Sequence, residues 1–113
     1  MKYALLIYED ESHYEGMEDV DLSPWMAYTQ AVTEAGVHVG GHGLMPTAMA
    51  TTVRKRDGKV LTTDGPFAET KEQFGGLYVL DCKDLDEAIE WASKIPTVGT
   101  GSVEVRPLIP GAD

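Results

Sequence analysis

Hydrophobic and polar residues follow two kinds of pattern along the chain, and together these patterns predict six strands and two helices. Strands are predicted over residues 3–8 and 74–80. Residues 3–8 and 77–80 carry apolar side chains at consecutive positions, which is typical of central strands buried on both faces. Strict alternation over residues 102–106 predicts a half-buried last strand. The other predicted strands are residues 37–45, which become rich in glycine, and residues 50–56 and 59–63, which form a hairpin across Asp57-Gly58.

Both helices are predicted from start signals that are followed by helical spacing. Ser23 offers a capping hydroxyl and Pro24 suits the first helical position, so a helix is expected over residues 24–35. Asp84 is expected to cap the second helix together with Glu87, three residues further on. The expected buried stripe of that helix comprises Leu85, Ala88, Ile89, Ala92 and Ile95.

The order of these elements predicts one α+β domain that spans residues 1–113. The two halves resemble βαβ units, as in the split βαβ, ferredoxin-like arrangement, with an antiparallel sheet and both helices on one face. Two helices cover only one face of such a sheet, yet the central strands are apolar on both faces. A homodimer is therefore expected, because large exposed apolar patches are rare on monomers.

Composition narrows the range of partners and compartments. The net charge is −10, from 19 acidic and 9 basic residues, which argues against binding to nucleic acid or to anionic membranes. Cys82 is the single cysteine, so an internal disulfide cannot form and a reducing compartment fits. The first apolar run is too short for a signal-peptide core or a membrane span, so a cytoplasmic protein is expected.

The segment 63–72 is the first candidate for the rim of a small-molecule pocket. Gly65-Pro66 stiffens the backbone there, so Asp64 is expected to be held in one orientation. Phe67 is expected to anchor the segment in the core, and Lys71 to meet an anionic group of the ligand. The proposed ligand contacts are Phe67, Glu69, Lys71 and Glu72. The alternative is an ordered turn with solvated charges.

His42 is the second candidate, because an imidazole can move protons near neutral pH. Glycines on either side leave space for a ligand, and Asp64 is the predicted partner that fixes the imidazole tautomer. The alternative is an exposed histidine beside a glycine turn. His38 and His42 would lie ~13 Å apart along a strand, too far to share a zinc ion, so no metal or cofactor is expected. Cys82 is interpreted as a buried thiol without a catalytic role.

Residues 64–72 read Asp-Gly-Pro-Phe-Ala-Glu-Thr-Lys-Glu, and they resemble the signature of DGPF-domain proteins within the YCII-related family. Further matches are Arg54, Asp57-Gly58, Gly75-Gly76, residues 85–88 and residues 103–107. The resemblance covers nearly the whole chain. It implies a ferredoxin-like fold that dimerises through its sheets as a dimeric α/β barrel.

The resemblance implies no single settled activity. Some members lie beside, or are fused to, extracytoplasmic-function sigma factors, smaller relatives have a histidine–aspartate pair proposed as catalytic, and one branch removes chloride from a ring-derived substrate. Asp64 matches the motif aspartate, whereas residues 23–28 contain no counterpart of that histidine. Two functions follow. One is a lyase- or isomerase-like enzyme centred on Asp64 and His42; the other is a non-catalytic ligand-binding or regulatory module associated with sigma factors.

Overall fold

A computed structural model describes residues 1–13 and 21–111 of the chain. In chain order the elements are β1 (Lys2–Glu9), α1 (Ser23–Glu34), β2 (His38–Gly43), β3 (Thr51–Arg56), β4 (Lys59–Asp64), β5 (Gln73–Asp81), α2 (Leu85–Ala92) and β6 (Ser102–Pro107). Short 3-10 turns cover Glu11–His13 and Thr47–Met49. An acidic loop is predicted over residues 9–19, and its part from residue 14 onward lies outside the described residues.

Among the described residues, β2, β5, β1 and β6 form the main sheet in that order, and every neighbouring pair is antiparallel. Helix α1 connects β1 to β2, and α2 connects β5 to β6. This is the strand order of a split βαβ fold, so the predicted ferredoxin-like α+β class is confirmed.

Both helices pack on the same face of the main sheet. The register places Leu5 opposite both Tyr78 and Val105 on that face. From α1, the Tyr28 ring meets the Tyr78 ring edge-on with centroids 5.0 Å apart, while the Tyr28 hydroxyl donates to the Trp91 carbonyl of α2 at 2.9 Å. The core residues that share this side are Tyr3, Leu5, Ile7, Tyr28, Val32, Val37, Tyr78, Leu80, Cys82, Ala88, Ala92 and Ile95.

The helix starts are only partly as the sequence predicts. The Ser23 hydroxyl does not cap α1; instead Asp21 Oδ1 accepts from Ser23 N at 2.9 Å and from Ser23 Oγ at 2.6 Å. These two hydrogen bonds lower the pKa of the Asp21 carboxyl. The predicted cap of α2 is confirmed, because Asp84 Oδ1 accepts from Glu87 N at 2.9 Å.

The predicted buried stripe of α2 is wrong at two positions. Leu85 and Ile89 are 48% and 50% exposed, whereas Ala88 and Ala92 are buried. The helix has only eight residues, and its buried side is lined by the two alanines. Ile95, also in the predicted stripe, is buried but lies in the turn that follows.

Strands β3 and β4 form a separate hairpin that does not join the main sheet. Asp57 (φ 52°) and Gly58 (φ 76°) both adopt left-handed backbone, as the predicted primed turn requires. The sequence of the hairpin predicts that Val53 and Val60 cover the core. This prediction is wrong within this chain, since the two side chains are 63% and 65% exposed. The hairpin therefore presents apolar side chains to its surroundings.

None of the helices described in the structure is long and apolar enough to span a bilayer.

Candidate functional site

A cavity of about 490 Å³ lies between α1, the β2–β5 edge of the main sheet and the end of β1. Its apolar lining residues are Ile7, Leu22, Trp25, Leu44 and Pro46. Its polar lining residues are Glu9, Glu11, Thr29, His38, His42, Gln73, Tyr78 and Thr97. A mostly apolar hollow with a few polar groups, in this size range, is typical of small-molecule sites.

Two glycines bring β2 and β5 close together along one wall of this cavity. A Cβ atom on Gly41 would lie 2.9 Å from Cδ1 of Tyr78, and one on Gly76 would lie 2.9 Å from the carbonyl oxygen of His42. Both positions therefore require the absence of a side chain. Gly41 is one of the glycines beside His42 that were expected to allow close approach, and there the approach is made by the protein's own Tyr78 ring, next to the cavity.

Glu9 is a buried carboxylate at the end of β1. Its side chain is only 10% exposed. Oε1 accepts a hydrogen bond from Thr100 Oγ1 at 2.8 Å and lies 3.7 Å from His13 Nδ1. Oε2 is covered from solvent and has no hydrogen-bond partner among the described residues. Half of this carboxylate therefore lacks compensation for its removal from water.

Two more cavity-lining residues carry buried polar atoms without a partner in the described part of the chain. These atoms are Nδ1 of His38 and Oγ1 of Thr97. The His38 ring packs edge-on against Tyr78 with centroids 6.0 Å apart. Leaving a buried polar group unpaired costs on the order of 1–3 kcal/mol. The residues that carry these three atoms all line the cavity, while the atoms themselves are covered from solvent.

Glu11 also lines the cavity, but its carboxylate already accepts hydrogen bonds from within the protein. It accepts from Thr47 N at 2.9 Å and from Thr47 Oγ1 at 2.5 Å. The Glu11 backbone N–H donates to Gln73 Oε1 at 2.9 Å. Glu11 therefore fastens the Thr47–Met49 turn to the end of β1 and β5, and this closes one end of the cavity.

Two acidic residues line the cavity. Glu9 and Glu11 both line it, and none of its described lining residues is a lysine or an arginine. The field at its polar end therefore favours a cation or a strong hydrogen-bond donor.

The segment predicted as the pocket rim lies elsewhere. Asp64 is the exposed last residue of β4, paired with Thr51 at the base of the hairpin. Gly65 has φ 100° and its N–H donates to the Ala50 carbonyl at 2.7 Å, so the turn is held by backbone. None of Asp64, Phe67, Glu69, Lys71 and Glu72 lines the cavity.

Phe67 and Glu72 show how the segment 64–72 packs: one side chain is exposed and the other is hydrogen-bonded to β6. Phe67 is 79% exposed, so the expectation that it anchors the segment in the core is wrong within this chain. Glu72 Oε1 accepts from Ser102 Oγ at 2.8 Å, which ties the segment to the start of β6. Lys71 and Glu69 are exposed.

The structure places only one member of the predicted Asp64–His42 pair at the cavity. His42 lines it, whereas Asp64 does not, and no hydrogen bond or ion pair joins the two within the described residues. Their catalytic pairing stays a prediction.

Sequence reasoning missed Glu9, His38 and Thr97 as site residues. A signal was present for Glu9, because Ile7 and Glu9 are two positions apart and so share a strand face with Leu5. An acid in register with core residues is a candidate buried carboxylate. Thr97 lies in an irregular turn, where periodicity gives no information.

Cys82 has no nucleophilic role in this arrangement. The thiol is 1% exposed. Burial, and after it the neighbouring Glu87, raises the pKa of Cys82 to about 11. The interpretation of a buried, unreactive thiol agrees with this environment.

The fold and the cavity together define a ferredoxin-like α+β domain with a hollow of ligand size between its first helix and its sheet. The family model of the YCII-related domain matches residues 1–111, and the chain therefore belongs to the YCII-related family. It is also 42% identical over 114 residues to "Uncharacterized protein R00369" of Rhizobium meliloti (strain 1021), which covers 96% of this chain and 92% of that protein.

Proposed function

We propose that this protein binds a small organic molecule in the cavity beneath α1 and acts on it by proton transfer, as an enzyme of the lyase or isomerase class. The observation that carries the proposal is the presence of three unpartnered buried polar atoms, on Glu9, His38 and Thr97, among the described residues of one cavity lining. Natural folds pair nearly all such atoms. Their concentration around one cavity supports a site in which a bound molecule supplies the missing partners after the side chains reorient towards it.

The proton-transfer part of the proposal follows from the residue types at the cavity. Glu9 supplies a carboxylate and His38 an imidazole among the residues that line the hollow. His42 also contributes to the lining, but its register partner is Leu77, so its imidazole is on the strand face that the helices leave uncovered. Carboxylates and imidazoles are the commonest general acids and bases. The alternative function, a non-catalytic ligand-binding or regulatory module, uses the same cavity without turnover.

Asp64 is a separate, weaker part of this proposal. Its carboxylate lies at the base of the hairpin and is exposed to solvent. A catalytic role for Asp64 would require a ligand outside the cavity, and the substitution Asp64→Asn tests this directly.

We further propose that the protein works as a homodimer. The register places Leu6 opposite Leu77 on the face of the main sheet that the helices leave uncovered. Tyr8 and Phe74 pack on that same face with ring centroids 5.5 Å apart, and Phe74 is 37% exposed. A second copy would cover these side chains and the exposed hairpin. Light scattering should give twice the chain mass at micromolar concentration, and a monomer would contradict the proposal.

The two tryptophans of the chain allow a direct test of binding in the cavity. Trp25 lines it, whereas Trp91 packs against the core on α2 outside the lining. Trp91→Phe leaves Trp25 as the single indole, and Trp25→Phe leaves Trp91. Both variants are titrated with a set of small aromatic amines, alcohols and carboxylates, followed by tryptophan emission.

The expected result is a saturable change of Trp25 emission in Trp91→Phe and little change of Trp91 emission in Trp25→Phe. Binding that changes only the Trp91 signal, or no binding by any compound, would contradict the proposed site. Compounds that bind are then incubated with the unmodified protein in deuterated water. Incorporation of solvent deuterium at a carbon atom of the compound, above that in a sample without protein, would identify proton-transfer catalysis, and its absence would favour the non-catalytic module.

A further inference from the structure

We infer that the cavity selects a small organic amine, with an ammonium group at Glu9 and an aromatic or branched apolar body against α1. This inference rests on the proposed function and names the ligand class of the same site. It differs from the sequence-based expectation of an anionic ligand that meets Lys71.

Glu9 has one carboxylate oxygen without a hydrogen-bond partner among the described residues. A carboxylate only accepts hydrogen bonds, so Oε2 requires an N–H or O–H donor. Within the described residues, the Thr100 hydroxyl serves Oε1, and the half-exposed His13 ring lies beyond hydrogen-bond distance at 3.7 Å from that same oxygen. Oε2 is covered from solvent, so binding requires the carboxylate to turn. The terminal torsion of a glutamate side chain is broad, which allows a rotation that brings a carboxylate oxygen to the cavity.

The acidic residues on the cavity lining favour a ligand with a positive charge. Glu9 has no lysine or arginine partner among the described residues that line the cavity, and the nearby Glu11 adds a second negative charge. An ionised donor forms a shorter and stronger hydrogen bond to a carboxylate than a neutral donor does. A carboxylate or phosphate ligand would face these two acidic residues, with no lysine or arginine among the described lining residues to offset them.

The rest of the cavity wall is mainly apolar. Leu22, Trp25 and Leu44 present apolar surface, and Thr29 Oγ1 lies 2.7 Å from Tyr78 Oη between α1 and β5. One hydroxyl of this pair donates to the other, which keeps its own donor, and the rest of this side of the cavity is mainly apolar. A volume of about 490 Å³ accommodates a ring and a short chain.

The test uses three probes that share one ring and differ in the charge of the end group. They are 2-phenylethylamine, 2-phenylethanol and 3-phenylpropanoate, each titrated into the unmodified protein by calorimetry at neutral pH. The amine is expected to bind about tenfold more tightly than the alcohol, because the hydrogen bond to Glu9 is charge-assisted. The carboxylate is expected to bind most weakly.

Glu9→Gln removes the charge and keeps the shape, so the preference for the amine over the alcohol should fall to less than about threefold. The matched control is Glu90→Gln, which makes the same change on the exposed outer surface of α2, where Glu90 pairs only with Lys94 at 3.6 Å among the described residues. This control should keep the full preference. Circular dichroism checks that both variants fold; if Glu9→Gln does not, the three-probe series on the unmodified protein decides alone.

The outcomes separate this inference from the proposed function. Binding of all three probes in the cavity with equal affinity, or with the carboxylate preferred, overturns the amine inference and leaves the cavity as a ligand site. A preference for the amine that persists in Glu9→Gln also overturns it. If no probe binds and the crystal shows only ordered waters on Glu9, His38 and Thr97, both the amine inference and the proposed site are wrong.

Discussion

The cavity beneath α1 and the segment 64–72 differ in how deeply their charged side chains are buried and in how far their polar groups are hydrogen-bonded. The cavity holds few charges, and the carboxylate of Glu9 is nine-tenths buried with one oxygen unpaired in the described structure. The segment is rich in charges, but Asp64, Glu69 and Lys71 are exposed and Phe67 is 79% exposed. Its turn is completed by the backbone bond from Gly65 N to the Ala50 carbonyl.

This difference shows that a conspicuous motif and a functional hollow need not coincide within one chain. Exposed charges are solvated and cost little, whereas a buried unpaired carboxylate is retained only where something compensates for it. The segment 64–72 instead has features suited to contact with another surface, since its aromatic side chain lies free of the core.

The largest expected contrast is in stability. Leu5→Ala, at a fully buried position under the helices, should lower the free energy of unfolding by about 2–5 kcal/mol. Val60→Ala, at a hairpin position that is 65% exposed, should change it by less than about 0.5 kcal/mol. Urea unfolding measures both. A loss above about 1 kcal/mol for Val60→Ala would show that a second copy covers the hairpin.

A leucine at Gly43 should block the cavity. Gly43 lines it on the same strand face as Gly41, and a Cβ there meets no atom within 4 Å, so the side chain enters open space. Binding of 2-phenylethylamine should weaken by about tenfold or more, because the leucine occupies the ligand volume. Gly40→Leu is the control, since Gly40 is outside the lining and also has free space for a Cβ. Equal weakening in both variants would contradict the assignment of the cavity.

Alkaline pH should weaken the core on which the cavity is built. The ordinary pKa of a thiol is about 9, and burial raises that of Cys82 to about 11. The contribution of the neutral thiol is therefore complete below pH 9 and is lost as the pH rises towards 11. Urea unfolding between pH 7 and 11 should show this decline, and Cys82→Ala should make it shallower. An unchanged pH profile in Cys82→Ala would show that the thiol does not titrate differently on folding.

The smallest effect is expected at the sequence motif itself. Asp64→Asn should leave the free energy of unfolding within about 0.5 kcal/mol and amine affinity within about twofold, because Asp64 is exposed and outside the cavity. Thermal unfolding and calorimetry measure the two quantities. A selective loss of binding or turnover would support the hypothesis of a functional pocket at Asp64. A large loss of stability would indicate that Asp64 supports the turn.

The fold was predictable because its determinants are local and periodic. The alternation in residues 102–106, the Asp57-Gly58 turn and the Asp84 cap each act within a few residues, and the structure contains all three. Ser23 as the cap of α1 was wrong, because Asp21, two residues earlier, accepts the bonds instead.

The cavity was not predictable to the same extent, because it depends on contacts between distant parts of the chain. Glu9 is satisfied on one side by Thr100, 91 residues away, and Glu11 by Thr47, 36 residues away. Periodicity places Glu9 on the covered face of β1, but it does not show which oxygens lack partners. His42 was identified from its glycine surroundings, and the structure places it on the cavity lining.

A crystal structure of the protein soaked with 2-phenylethylamine tests the assignment of the site most directly. The predicted result is the ammonium nitrogen about 2.8 Å from a Glu9 carboxylate oxygen, with the phenyl ring against Trp25. The contradicting result is a cavity that holds only water while the amine lies beside Asp64 or Glu69.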